Sequence, residues 1–399
     1  MRRPQASALH GADGSSRRKA RRIAAGLPCL ALFLGLAACT GTPGPPAPSA
    51  NPAAAGTPPG AAVANSAPPA NESAGTAPVQ SPPAVQERLE LQLDTPWAAV
   101  FLPDGTAVIS ERGTALLKAV RDGAATTLGK VPDVAPAGEG GLLGLALSPH
   151  FEADHSLYAY TTTREDNRVV RLTVERGADG SLTLGRPQAV FAGIPKAGTH
   201  NGGRIRFGPD GFLYVGTGDA QRREQAQDPA ALGGKILRLT PDGAPAPGNP
   251  FGNAVYSLGH RNVQGLAWDE AGRLWASEFG PDVDDELNLI LPGANYGWPD
   301  VTGAPHRAGF EDAKVVWPST RESSPSGLEI SGGTAYLGAL RGERLWTVPL
   351  KGTDTGQPVA YFTGQCGRIR DVIRAPDGRL WLLTNGKNPD FALVLRLSQ

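Results

Sequence analysis

A nine-residue phrase recurs along the second part of the chain and narrows the possible folds more than any other feature. Phe101-Leu-Pro-Asp-Gly-Thr-Ala-Val-Ile returns as Phe207-Gly-Pro-Asp-Gly-Phe-Leu-Tyr-Val and as Trp268-Asp-Glu-Ala-Gly-Arg-Leu-Trp-Ala. It appears again as Arg374-Ala-Pro-Asp-Gly-Arg-Leu-Trp-Leu, with a looser copy from Leu147-Ser-Pro-His-Phe to Ser156-Leu-Tyr-Ala-Tyr. Proline presets φ, and Asp-Gly supplies a residue that tolerates positive φ, so the chain reverses at once into an apolar strand. Between the copies lie further short alternating runs, such as Asn167-Arg-Val-Val-Arg-Leu-Thr-Val and Gly234-Lys-Ile-Leu-Arg-Leu. Helical periodicity is weak, and the best place for a helical turn is residues 229–232. At about 40–50 residues per four-stranded unit, residues 89–399 hold about six units. The expected fold is therefore all-β: a six-bladed β-propeller of four-stranded antiparallel blades, with its ligand site at the mouth of the central channel. A pair of β-sandwiches is the alternative. It is disfavoured because the Asp-Gly signals recur at multiples of a blade rather than at the spacing of short strands.

The N-terminal region reads as an address and a tether. Arg17, Arg18, Lys19, Arg21 and Arg22 precede an apolar run at residues 23–38 that closes on Leu36-Ala37-Ala38-Cys39-Thr40. A basic flank, a short apolar core and small residues at its end form the pattern of a secretory signal. The run is too short and too rich in Ala and Gly for a stop-transfer helix. Leu-Ala-Ala-Cys resembles a bacterial lipobox, in which Cys39 becomes the lipidated N-terminus after cleavage; an ordinary signal peptide is the plainer reading. The Pro, Ala, Gly, Ser, Thr and Asn that follow cannot bury a core and favour extended, solvated backbone. The expected organisation is a lipoprotein signal peptide at 1–39, a tether at 40–88 and a propeller at 89–399. Membrane contact is expected only through the lipid anchor of an exported bacterial lipoprotein, in the periplasm or cell envelope, with the outer membrane favoured. Of the three cysteines, Cys29 leaves with the signal and Cys39 is modified, so Cys366 alone remains in the folded part and no internal disulfide is expected.

Charge excludes one functional class. Lys and Arg number 38 against 38 Asp and Glu, a balance without the basic excess that a nucleic-acid binder needs to neutralise phosphates. The chemistry concentrates in a few dense strings beside the expected strands. These are Gly138-Glu-Gly-Gly-Leu-Leu-Gly, Gly198-Thr-His-Asn-Gly-Gly-Arg, Gly216-Thr-Gly-Asp219, Gly259-His-Arg-Asn-Val-Gln-Gly, Ser277-Glu-Phe-Gly-Pro-Asp-Val-Asp-Asp-Glu-Leu-Asn288, Gly293-Ala-Asn-Tyr-Gly-Trp-Pro299 and Gly367-Arg-Ile-Arg-Asp371. Loops on a rigid scaffold are where function gathers. His200 is the best acid–base candidate, since histidine as a residue type titrates near neutrality and a Gly-rich loop lets a ligand approach its backbone. The plainer reading is a histidine that satisfies a turn. Asp219 is placed to orient the ring. Arg261-Asn262 and Arg368-x-Arg370 supply forked donors for a planar anion, unless they point outward as solvated surface. The acidic run Asp282, Asp284, Asp285 and Glu286 beside Gly280-Pro281 offers hard oxygen ligands for Ca²⁺, though without EF-hand spacing, and a solvated loop explains it equally well. No P-loop, zinc array, dinucleotide fingerprint or Gly-x-Ser-x-Gly elbow is present.

These strings, in this order from about residue 90 to the C-terminus, resemble the pyrroloquinoline quinone (PQQ)-dependent sugar dehydrogenases of the glucose/sorbosone dehydrogenase family. Gly-His-Arg-Asn-x-Gln-Gly and the Glu-x-Gly-Pro…Asp-Asp-Glu-x-Asn…Asn-Tyr-Gly-Trp-Pro block carry most of the likeness. The resemblance implies a six-bladed propeller and oxidation of an aldose at C1 to the lactone, with hydride passing to PQQ and electrons on to an unidentified acceptor. It implies His200 as general base, Asp219 as its support, and Arg261 and Asn262 at the quinone oxygens. Arg368 and Arg370 match the pair that holds the PQQ carboxylates. Gly280 and Pro281 match carbonyl ligands of a cofactor-linked Ca²⁺, and Glu286 and Tyr296 match ligands of another. Two positions depart: Glu139 falls where the family often has Gln, and Arg341 where it usually has Lys. The two other classes weighed are a Ca²⁺-dependent lactonase and a non-catalytic ligand-binding propeller lipoprotein.

Overall fold

The computed structural model describes residues 82–386 and 389–397. The signal peptide, Cys39 and most of the tether lie outside the described residues. Six antiparallel sheets follow one another. Five are continuous in sequence, at residues 96–130, 142–194, 205–258, 263–317 and 325–361, and serve as blades 1 to 5. The sixth takes three strands from the C-terminal end, Ile369–Arg374, Leu380–Thr384 and Asp390–Arg396, and its outermost strand from the other end of the chain, Ala84–Leu93. The innermost strands, Pro96–Phe101, Leu142–Leu147, Ile205–Phe207, Val263–Trp268, Pro325–Ser331 and Ile369–Arg374, touch in ring order and close on themselves. The six-bladed propeller is therefore the fold, with two blades carrying an extra short strand.

The recurrent phrase joins the innermost strand to the second strand of a blade, and its chemistry is the same each time. Asp104, Asp210, Asp269 and Asp377 each accept through Oδ1 from the backbone N–H two residues on, at 3.0 to 3.2 Å. The glycines that close these turns, Gly105, Gly211, Gly272 and Gly378, all have φ between 75° and 83°, where a side chain is strained. In blade 2 a short helical turn, Phe151–Asp154, takes the place of Asp-Gly. The other helical turn of the described residues, Arg223–Gln227, lies just ahead of the 229–232 expected for it. Asp228 after it is extended, the conformation that a following proline imposes.

The apolar core is divided into wedges between neighbouring blades. One holds Trp97, Leu143, Leu157 and Ile205, another Trp275, Leu328 and Leu337, and a third Ile109, Leu383 and Val394 beside Leu89, Leu91 and Leu93. The closing strand begins at Ala84, inside the stretch assigned from sequence to the tether. Residues 84–88 are exposed and pair along the backbone with residues 393–396, with Arg88 over the Phe391 ring and Glu87 3.9 Å from Arg379 as charged side-chain contacts, so no apolar alternation announces them. From Leu89 onward alternate side chains enter the wedge. Closure is thus strengthened at one end of the strand. Leu93→Ala is expected to lower stability by about 2–4 kcal/mol, whereas Val85→Ala should stay within about 0.5 kcal/mol. Urea unfolding followed by tryptophan fluorescence measures both, and equal effects would contradict this account of closure.

Candidate functional site

Adjacent strands of a blade are antiparallel, so the start of an innermost strand and the end of the second strand open on the same face. The Asp-Gly turns mark the opposite face. Nearly all the dense strings lie at the first of these positions, and there a cavity of about 330 Å³ opens on the axis. All six blades reach it. Blade 1 gives Trp97 and Arg112; the loops entering blades 2 and 3 give Glu139 and His200; blade 4 gives Arg261, Gln264, Gly280, Pro281 and Asp285. Blade 5 gives Thr320 and Arg341, and blade 6 gives Arg368 and Arg370.

His200 has a left-handed backbone, φ 58°, and its ring is 19% exposed. Its Nδ1 lies 2.8 Å from Oδ1 of Asp219, which has no exposed surface. Burial by itself would raise the Asp219 carboxyl. Donors from His200, the Gln221 N–H and the Trp298 indole at 2.8 Å outweigh it and hold the group below the usual carboxylate range. An ionised carboxylate only accepts, so Nδ1 carries a proton, and in the neutral imidazole the lone pair is then on Nε2. Gly218 permits this arrangement, because a Cβ there would lie 1.9 Å from the His200 carbonyl oxygen. Glu139 holds the same turn from the other side, its Oε2 accepting from the His200 N–H at 2.7 Å.

Five guanidinium groups, those of Arg112, Arg261, Arg341, Arg368 and Arg370, face two carboxyls, Glu139 and Asp285. Arg370 is deeply buried. Its Nη1 donates to Gln264 Oε1 at 2.9 Å while Nε has no hydrogen-bond partner. Burial, then the like charges of Arg112, Arg368 and Arg204, push it down to about 9. Burial also lowers Arg368, with Arg112 and Arg341 adding to the effect. Arg261 donates to Phe279 O at 3.2 Å, lies 5.5 Å from the Trp298 ring centre, and leaves its Nε unpartnered. Its backbone is held by Glu278, whose other oxygen takes Nδ1 of His260 at 2.8 Å. Asp285 accepts from the N–H groups of Gly280 at 2.9 Å and Ser324 at 2.6 Å, yet burial pushes it up to about 6. Buried cationic donors without acceptors are costly unless an anion completes them.

The structure brings His200, Arg261, Glu139, Arg341, Arg368, Arg370, Gly280 and Pro281 to one wall, with Asp219 directly behind it. Asn262 is fully buried and not part of the wall. Its Oδ1 accepts from Gly202 N–H at 2.9 Å and its Nδ2 has no partner. The acidic run does not act as one cluster. Asp284 accepts from Thr302, Asp285 faces the cavity, and Glu286 turns away to accept from Gly303 N–H and Asn288. Burial, then Glu278, push Glu286 up to about 8. The Tyr296 hydroxyl donates to Leu289 O and accepts from Leu291 N–H, and the ring stacks on His260. Its side chain is thus engaged within the protein, leaving main-chain oxygen as what Tyr296 has to offer a cation. Cys366 packs in the apolar cluster of Tyr336, Leu345 and Ile369, away from the cavity.

Sequence reasoning missed Arg112, Trp97, Gln264 and the indole of Trp298. Arg112 follows the second strand of blade 1 much as Arg341 follows that of blade 5. Superposing the repeats would have found it, whereas the search for dense strings did not.

Comparison with known proteins agrees with this fold. The family model described as Glucose / Sorbosone dehydrogenase matches residues 93–394. An aldose sugar dehydrogenase of Escherichia coli (strain K12) is 32% identical over 342 residues, 77% of this chain and 92% of that one. The PQQ-bound structure of an aldose sugar dehydrogenase from Streptomyces coelicolor is similar with a TM-score of 0.77 and 49% identity, covering 79% of this chain and 98% of its own. The apo-form structure of a soluble aldose sugar dehydrogenase from Escherichia coli has a TM-score of 0.70 and 30% identity, with 78% and 98% covered.

The charge imbalance makes a prediction. Citrate, a compact polyanion, is expected to raise the melting temperature of the ligand-free protein. Arg370→Met removes a buried like charge, so it should leave the basal melting temperature equal or higher while weakening the citrate response. Differential scanning calorimetry reads both. A lower basal value with an intact citrate response would contradict the charge argument.

Proposed function

The chain belongs to the glucose/sorbosone dehydrogenase family, and we propose that it oxidises an aldose at C1 to the lactone with PQQ as hydride acceptor and His200 as base. The observation that carries this reading is the convergence in one cavity of an imidazole backed by an ionised carboxylate with five guanidinium groups. The buried Nε atoms of Arg261 and Arg370 are donors without acceptors, which fits a flat cofactor bearing carboxylates and quinone oxygens. When bound, PQQ supplies the electrophilic quinone that takes the hydride from the sugar. A Ca²⁺-dependent lactonase centre would need carboxylates and amides where this wall presents arginines.

His200 acts through Nε2, accepting the proton of the sugar hydroxyl as the C1 hydrogen leaves. Asp219 keeps Nδ1–H in place and stabilises the imidazolium that results. Arg261 stabilises negative charge that develops beside it, its backbone fixed by Glu278. Arg368, Arg370 and Arg341 would hold carboxylates beside Glu139, while Asn262 acts from behind the wall, its Oδ1 steadying the Gly202 N–H of the His200 loop. The carbonyls of Gly280 and Pro281 on the same wall would hold a Ca²⁺, and Glu286 with Tyr296 a second. Among the described residues no trio of His, Cys, Asp or Glu gathers as a metal site. Either ion would therefore rely on main-chain oxygen, and the first also on the cofactor. The same reading makes this an exported, lipid-anchored envelope protein that passes electrons to an external acceptor. Its support is the sequence of residues 1–88.

Titrating PQQ into the full-length protein by calorimetry, with Ca²⁺ and then with chelator, should show tight, Ca²⁺-dependent binding. Absence of binding in both conditions would overturn the cofactor assignment. His200→Ala should retain PQQ and lose about 10²–10⁴-fold in kcat with an artificial dye acceptor. Full turnover in that variant would remove His200 from the mechanism.

A further inference from the structure

Glu139 departs from the amide that the family often has at this position, and its surroundings give the departure a purpose. It precedes Gly140 and Gly141 in a loop tied to blade 3, its own N–H donating to Gly198 O at 2.9 Å. One carboxylate oxygen accepts from the His200 N–H at 2.7 Å, so Glu139 fixes the left-handed residue that carries the imidazole. Its charge also acts on Arg112, Arg261, Arg368 and Arg370, four of the five guanidinium groups of the cavity. Asp285, the other carboxyl of the wall, is tied to two backbone N–H groups and acts on Arg261 and Arg341.

We propose that Glu139 has two roles: it is the resident counter-anion of the arginine cluster, against which an anionic cofactor must load, and it is a positioning residue for His200. The first role makes cofactor affinity weaker than the arginines alone would set, and holds the cluster together when the cofactor is absent. The second sets where Nε2 points. Glutamine can serve the second role but not the first, and alanine can serve neither. The counter-anion role rests on the cofactor reading above; the positioning role stands on the hydrogen bond alone.

The test compares full-length wild type, Glu139→Gln and Glu139→Ala. Calorimetric titration of PQQ with Ca²⁺ should give a Kd about ten-fold lower or better for both variants, the result of removing one like charge. Turnover separates them: kcat of the Ala variant should fall at least about ten-fold below that of the Gln variant, with KM for the sugar nearly equal. In the PQQ-free protein, the His200 amide proton should resonate at similarly low field in wild type and the Gln variant, and move upfield in the Ala variant. An unchanged or higher Kd in Glu139→Gln overturns the counter-anion role. An Ala variant that matches wild type in the His200 amide shift and the Gln variant in kcat overturns positioning. Should wild type take up no PQQ, the cofactor reading falls. The melting temperature of the PQQ-free Gln variant then decides the charge role: a decrease supports it, and no change or an increase overturns it.

Discussion

Six innermost strands surround one axis here, their backbones close together and the ring closed by more than the contact of two finished blades. Closure here comes from a strand near the start of the described residues, which joins the blade formed by those nearest the C-terminus, over a register running from Ala84 opposite Arg396 to Leu93 opposite Asp390. Everything at the axis depends on it. The cavity draws side chains from all six blades, so a gap between the first and last would separate Arg112 and Trp97 from Arg368 and Arg370. The close approach also explains why residues near the axis are so often glycine. Gly144 and Gly218 would each drive a Cβ to within about 2.1 Å of a neighbouring carbonyl, and one of those carbonyls belongs to His200.

With the ring closed, the two ends of the channel differ in chemistry because of strand direction. One face receives the turns between first and second strands, whose Asp-Gly pairs meet their own hydrogen bonds locally. The other receives longer loops, which need not be tight and so carry the arginines, His200 and Glu139. Each buried group there is supported by a second one. Asp219 stands behind His200, Glu278 behind the backbone of Arg261, Gln264 behind Arg370 and Trp298 behind Asp219. Such support holds reacting groups in place without mobile solvent. The charge left over is positive, which suits an anionic ligand.

Much of this was legible in the residues. The Pro-Asp-Gly phrase announced the hairpins because the Asp side chain and a positive φ serve the turn locally, without help from distant parts of the chain. His200, Asp219, Arg261, Arg368 and Arg370 were found because the strings around them are dense in Gly and polar residues. The closing strand was partly missed because residues 84–88 are exposed and held by backbone pairing and the charged side chains of Glu87 and Arg88, which leaves no apolar alternation. Arg112 was missed because it stands in an unremarked loop, and the acidic run was read as one group although alternate residues of a strand point to opposite sides.

The sequence by itself determined the class of fold, the number of blades to a near estimate and the residues able to carry the chemistry, since turn propensity and strand alternation are local properties. Only the tertiary structure decided which of those residues meet. Arg112 and Arg370 are over 250 residues apart in sequence and share a cavity because blades 1 and 6 are neighbours in the closed ring. Glu139 reaches the His200 backbone because the loop entering blade 2 lies against the loop entering blade 3. Asn262, adjacent to a wall residue, is turned inward to serve the backbone at Gly202. Such meetings follow from ring closure, which is a property of the whole chain.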